Sequence, residues 1–273
     1  MTALLIGCAI VYGIILSRFN LAEVPGETKL GALAEQARVN LYLQPIQVDG
    51  VNHSMQVQIS VVPVATARVT IADRDFLLMI QRGSQVEHVQ VRAGQPLPEV
   101  TYQFDLENGS VRDYPLDRYV SLITLAANEK AENGAEQPLP IHVTAWEGVL
   151  GYDIKANSVP TQQADELRLE LVVSRTGAVS FFALAIYGAM LVIMISALTI
   201  ASLVFLGVRR IEVTFVGALG AMIFALPALR HAMPGSPPFG VRADILVFFW
   251  AELGAVVALC LFIAAWARRG AQP

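Results

Sequence analysis

The chain has 273 residues, of which 55% are apolar, and a formal charge of −4. Ordinary globular domains run at roughly 45–50% apolar. The excess sits in a few long runs, which argues against a wholly soluble chain and for a membrane protein with one aqueous domain. Between Asn20 and Thr176 there are 20 acidic and 12 basic residues, a formal charge of −8. That stretch has no basic stripe, which argues against nucleic acid as a partner.

Taken in chain order, the first segment is residues 1–18, with an apolar run from Thr2 to Ser17. A bilayer core about 30 Å thick needs roughly 20 apolar helical residues, so this run is marginal. No basic region precedes it and no A-x-A cleavage site follows. It therefore reads as an uncleaved signal-anchor span, with Arg18 reaching to the interface. Leu5-Ile6-Gly7-Cys8 resembles a lipobox, but most of the apolar run follows the cysteine.

Residues 19–176 have a period of two. "VNLYLQ", "MQVQISV", "ARVTIAD", "FLLMIQR", "VEHVQVR", "VTYQFDLE", "RYVSLITL", "IHVTAWEG" and "LRLELVVSR" alternate apolar and polar residues between turn signals. Short strands at such spacing predict a β-sandwich or barrel, and an antiparallel sandwich is the expected form. Ala127–Pro140 reads as an exposed loop. The last strand ends at Arg175, two residues before the next apolar run, so the domain is expected on a short tether near the bilayer. It contains no cysteine; Cys8 and Cys260 lie in apolar runs and read as packing residues.

"DYPLDRY", Asp113–Tyr119, is the densest motif of the domain. Pro115 fixes its own φ and biases Tyr114 to extended backbone. Asp117 can accept turn N–H groups. The motif reads as a rigid corner, or as a loop that docks on membrane helices through Tyr114, Pro115, Asp117 and Tyr119. Such aromatic–Pro–apolar–Asp loops resemble those at the domain–membrane junction of pentameric ligand-gated channels. The chain departs from that pattern in lacking their cysteines and a fourth helix after the domain.

Residues 177–273 hold three further spans, at about 178–208, 213–229 and 245–267. The first of these exceeds the bilayer thickness and should tilt or protrude. Arg209 and Arg210 close one span, and Arg268 and Arg269 close another. The excess of Lys and Arg marks the cytoplasmic side. Both termini are then cytoplasmic and the β domain extracytoplasmic, in the cell (plasma or inner) membrane. "RHAMPGSPPFGVRAD", Arg230–Asp244, lies outside. Pro237 and Pro238 stiffen it as a docking surface, and Arg230, Arg242 and Asp244 mark the interface. Glu252 falls roughly 10 Å into the last span, where a carboxylate is costly. It reads as a relay or a partner for Arg230 or Arg242, or as a structural carboxyl bonded to Tyr187, Ser196, Thr199 or Ser202. "GALGA", Gly217–Ala221, suits close helix approach.

The chain has no G-x-S-x-G, P-loop or G-x-G-x-x-G motif, and its four histidines lack metal-ligand spacing. No catalytic, cofactor-binding or metal-binding residue is assigned. With the loop, "YPLDRY" and "ADILVFFWAELGAVVALCLFIAAWARRG" in hand, the chain resembles domain-of-unknown-function family 4436, integral membrane proteins of actinobacteria. The resemblance implies a β-rich outer domain and four spans, and supplies no activity. The expected fold class is membrane α plus all-β: four transmembrane helices with the sandwich inserted between the first and second. The expected function is a non-enzymatic accessory or scaffold subunit of an envelope membrane assembly. Its partners would be the bilayer, a protein of the complex and, as an option, further copies of itself. The alternatives are a channel-like or transport protein with the outer domain as sensor, and a membrane-anchored envelope enzyme.

Overall fold

The computed structural model describes residues 26–62, 71–131, 135–161 and 165–269, with Gly13 alone before them. Two compact units emerge. A β unit runs to Ser110 and resumes over Asp117–Thr176, and a helical unit comprises Val111–Leu116 together with the chain from Gly177 onward.

Among the described residues the β unit has twelve strands: β1 (Glu27–Gly31), β2 (Val39–Asp49), β3 (Ser54–Val62), β4 (Phe76–Arg82), β5 (Gln85–Val91), β6 (Glu99–Asp105), β7 (Arg118–Lys130), β8 (Glu136–Pro138), β9 (Ile141–Trp146), β10 (Gly148–Val149), β11 (Tyr152–Val159) and β12 (Leu167–Arg175). They form two sheets in a sandwich-like arrangement, β1-β9-β2-β3-β6 and β10-β11-β12-β7-β4-β5, with β8 paired to the end of β7. Successive side chains of a strand point to opposite faces. Val39, Leu41 and Leu43 of β2, Met55, Val57 and Ile59 of β3, and Tyr119, Ile123 and Leu125 of β7 accordingly turn inward together into one core.

Three sequence expectations change here. The sandwich is not wholly antiparallel, because β2 and β9 pair in parallel. The chain visits the other sheet between these strands, so no hairpin imposes a direction on them. "ARVTIAD" falls mostly outside the described residues; its Ile71 makes an isolated bridge to Pro96. Ala127–Pro140 is in part a strand pair: β7 continues to Lys130, and β8 returns beside Asn128–Lys130. The polar composition of β8 suits a three-residue strand exposed along its length.

The helical unit has α1 (Gly177–Phe205), α2 (Thr214–His231) and α3 (Phe249–Arg269), with a π-helical turn over Asp244–Phe248 leading into α3. All three are long and apolar enough to cross a membrane. The expected first span, residues 1–18, lies outside the described residues, apart from Gly13. At 1.5 Å per residue α1 is about 44 Å long, more than the roughly 30 Å of a hydrocarbon core.

The buried positions of α1 include Ala183, Tyr187, Met190, Ala197, Ala201 and Val204, and those of α3 are Ala251, Ala255, Ala258, Phe262 and Ala265. The α3 set repeats at alternating spacings of four and three, the 3.5-residue period of a coiled-coil seam. Small side chains in such a seam let backbones come close, which is how helices associate in lipid without a hydrophobic drive. Gly254 shows the closeness: a Cβ there would lie 2.4 Å from Cγ of Met194 on α1. Gly217 and Gly220 of "GALGA" have no atom within 4 Å of that position, so the close-approach glycine sits on α3 instead. Replacing Gly254 with Leu is expected to destabilise the helical unit by about 1–3 kcal/mol through overpacking. Thermal unfolding in mild detergent measures this, and an unchanged midpoint would refute the packing argument.

At the other end of the unit, Arg269 donates from Nη1 to the Val204 carbonyl at 3.1 Å and from Nη2 to the Phe205 carbonyl at 3.0 Å. These are among the last α1 carbonyls, which lack intrahelical donors. Gly207 turns the chain away with φ +82°, and a Cβ there would strike the Arg269 guanidinium.

Candidate functional site

Arg230 stands in the last turn of α2 and Asp244 opens the π-helical turn before α3. Both are buried, at 3% and 4% exposure. The guanidinium meets the carboxylate as a fork: Nη2 donates to Oδ2 at 2.7 Å, and Nε donates to Oδ1. A planar fork on a carboxylate is the strongest form of such a pair. Nη2 also donates to the carbonyls of Pro237 and Pro238, at 3.1 and 2.9 Å. The two prolines thus serve the loop through their oxygens, turned in toward Arg230. The Phe239 ring lies 4.9 Å from the guanidinium carbon. Asp244 takes two more donors, the Tyr187 hydroxyl at 2.8 Å and the Gly240 N–H at 3.1 Å.

A buried ion pair is tolerable only when its remaining donors and acceptors are occupied. Here the carboxylate receives four hydrogen bonds, and the guanidinium is shared between a carboxylate and two carbonyls. The network ties α2, the loop and the start of α3 to the first third of α1.

Val111–Leu116 belongs to this same unit. Tyr114 is buried at 1% exposure in an apolar cluster with Ala183, Ile186, Met233 and Val241. Its hydroxyl donates to the Pro234 carbonyl at 3.0 Å. The Ser180 hydroxyl donates to the Pro115 carbonyl at 2.9 Å, and Arg242 forms an ion pair with Asp113. Arg242 is largely exposed, so that pair contributes little.

Asp117 and Tyr119 lie elsewhere, in the β unit. Both Asp117 oxygens accept from Nε of Arg175, at 3.1 and 3.2 Å, and Oδ2 also accepts from the Tyr119 hydroxyl at 3.1 Å. The Arg175 guanidinium stacks on Tyr152 with 4.5 Å to the ring centroid. Burial, and then the neighbouring Asp117 carboxylate, pushes the Tyr119 hydroxyl well above the usual phenol range, so it stays a donor. The four residues proposed together for docking therefore divide between two polar clusters.

Glu252 takes none of the polar partners expected for it among the described residues. Arg230 takes Asp244, Arg242 takes Asp113, and Tyr187 bonds Asp244. The Thr199 hydroxyl bonds the Ile195 carbonyl of its own helix. Oε2 of Glu252 is buried and has no hydrogen-bond partner among the described residues. The reason is position: Asp244 sits at the mouth of the loop, within reach of Arg230, whereas Glu252 is two turns further along. Tyr187, Gly240 and Arg175 are the polar partners the sequence did not assign to these carboxylates. The one available signal was opposite charge at the two ends of a single loop, Arg230 and Asp244.

Two open hollows mark the β unit. One, of about 390 Å³, is lined by Gly31, Pro138, Ile141, Asp165 and Glu166 among others. The other, of about 380 Å³, includes Asp75, Gln90, Asn128 and Lys130. Among the described residues no group of three or more His, Cys, Asp or Glu is placed to hold a metal ion.

Two β-sheets joined to three helices of membrane-crossing length define a β-plus-helical protein consistent with insertion in a membrane. Residues 30–173 match the family model "Domain of unknown function (DUF4436)", and the chain belongs to that family. Residues 175–269 match a second model, "Domain of unknown function (DUF8686)", which begins where β12 ends. No curated protein matches the chain.

Proposed function

We propose that the protein is a non-enzymatic, multi-pass cell-membrane protein that serves as an accessory or scaffold subunit of an envelope assembly. It crosses the bilayer four times, the first crossing being residues 1–18, with both termini cytoplasmic. The β unit is extracytoplasmic and binds a partner protein or envelope component. Arg209, Arg210, Arg268 and Arg269 at the inner ends of two spans support this orientation.

The observation that carries the reading is the saturation of the Arg230–Asp244 network. Its charged groups are spent on each other and on loop carbonyls. A network filled in this way fixes the shape of a loop, and its own carboxylate is fully engaged. A shaped, stiffened surface at the outer ends of the spans suits a docking role better than a transport role.

Purification at native expression in mild detergent tests the reading. The expected result is a particle heavier than the monomer, with a second protein in fixed ratio by mass spectrometry. A lone monomer with nothing recovered would overturn it. A ring of identical copies that conducts ions would replace it with the channel reading.

A further inference from the structure

We infer that Glu252 is the point at which a partner's membrane-spanning helix docks, bringing a cationic side chain to the carboxylate. This rests on the accessory-subunit reading and names the chemistry of the partner.

Glu252 lies eight residues beyond Asp244, about 12 Å along the helix and inside the apolar stretch of α3. It makes no hydrogen bond to the described residues, and Oε2 is covered by protein without a donor. The carboxyl group can be compensated only through Oε1, on the side of the residue that remains partly open. Phe249 and Val256, one turn away in either direction on the same side, are both exposed. A carboxyl group at this depth is costly, and an opposite charge is one of the few surroundings that offset that cost.

The three helices have no cation to give. Arg230 is consumed by Asp244. Arg209, Arg210, Arg268 and Arg269 lie at the opposite ends of the helices, Arg18, His231 and Arg242 flank the apolar runs, and no Lys, Arg or His occurs within 2–17, 178–208, 214–229 or 245–267. A second copy of these helices has the same deficit: it would bring only another Glu252 or hydroxyls. Charge complementarity therefore assigns the site to a different chain, one whose span carries Lys, Arg or His at matching depth.

The test uses the full chain in its native membrane. A photoreactive benzoylphenylalanine is placed at Phe249 or at Val256, and the crosslinked peptide is sequenced. The expected product is one protein species, joined through a span with Lys, Arg or His within about one helical turn, 5.4 Å, of the crosslink. Glu252→Leu is expected to cut the yield about tenfold. Its abundance and unfolding midpoint should equal or exceed the parent's, since it removes an unpartnered polar group. Glu252→Gln serves the same purpose if the leucine variant does not accumulate. Glu252→Lys combined with an acidic residue at the partner's cation should restore the crosslink.

Crosslinks to lipid alone, to residues 1–18 of the same chain or to another copy would overturn the inference, as would an unchanged yield in both variants. If a partner still copurifies in that event, the accessory-subunit reading stands and only the docking point falls. If nothing copurifies, both fall.

Discussion

Asp244→Ala is expected to destabilise the helical unit by about 3–5 kcal/mol and to deplete folded protein from the membrane. The substitution removes the acceptor of four hydrogen bonds at once. Arg230 keeps its charge at 3% exposure, left among the described residues with the carbonyls of Pro237 and Pro238 and the Phe239 ring but no carboxylate. The Tyr187 hydroxyl, also buried, loses its acceptor. An uncompensated buried charge costs far more than the intact pair contributes, because the pair's attraction largely offsets its own desolvation. The double variant Arg230→Met with Asp244→Leu should accordingly be less damaged than Asp244→Ala alone. Membrane abundance and the unfolding midpoint in mild detergent measure both. A single variant as stable as the parent, or a double variant worse than the single, would show that the pair does not hold the loop.

Asp117→Ala should cost the β unit a similar amount, about 3–5 kcal/mol, for a parallel reason. The Asp117 side chain is fully buried and that of Arg175 nearly so, at 0% and 5% exposure. Arg175 is the last residue of β12, and its buried guanidinium, stacked on the Tyr152 ring, would lose both hydrogen bonds to the Asp117 carboxylate. Tyr119→Phe removes only one bond to Asp117 and should cost about 0.5–1.5 kcal/mol. Amide hydrogen exchange along β7 and β12 reads both effects where they arise. Equal protection in Asp117→Ala and the parent would refute the role given to the pair. A larger loss in Tyr119→Phe than in Asp117→Ala would reverse the hierarchy proposed within it.

The sequence carried much of the fold because burial on one face imposes a period. Val39, Leu41 and Leu43 of β2, Met55, Val57, Ile59 and Val61 of β3, and Tyr119, Ile123 and Leu125 of β7 fall on one face of each strand, and a slip of one would turn them to solvent. β11 was harder to see. Its inward set is Tyr152, Ile154 and Ala156, followed by polar Asn157 and Ser158. β1 and β8 carry few inward apolar residues to mark them. Strand direction was not legible, since alternation is the same in either sense, and the parallel β2–β9 pair escaped notice for that reason.

Apolar length marked the three helices, but not their packing faces. A glycine pair such as Gly217 and Gly220 looks like an interface in sequence, while the seam is written mostly in alanines. The polar networks were legible only in their membership. Arg230, Asp244 and Tyr187 were all conspicuous in apolar surroundings, yet Tyr187 and Asp244 are 57 residues apart, and no spacing rule joins them. Pairing Glu252 with a nearby arginine was a reasonable economy of charge, and the loop's own aspartate had already satisfied it.

The short stretch Val111–Leu116 has a consequence for how the protein is made. It is synthesised more than sixty residues before α1 begins, yet Tyr114 belongs to the apolar cluster that α1 and the Arg230–Asp244 loop complete. The two family models divide the chain cleanly near residue 174, but a fragment cut at that point would leave the helical half without one of its core aromatic residues. The halves are separate paragraphs of sequence and shared property in biogenesis: the first must emerge, wait and lend a tyrosine before the second can close.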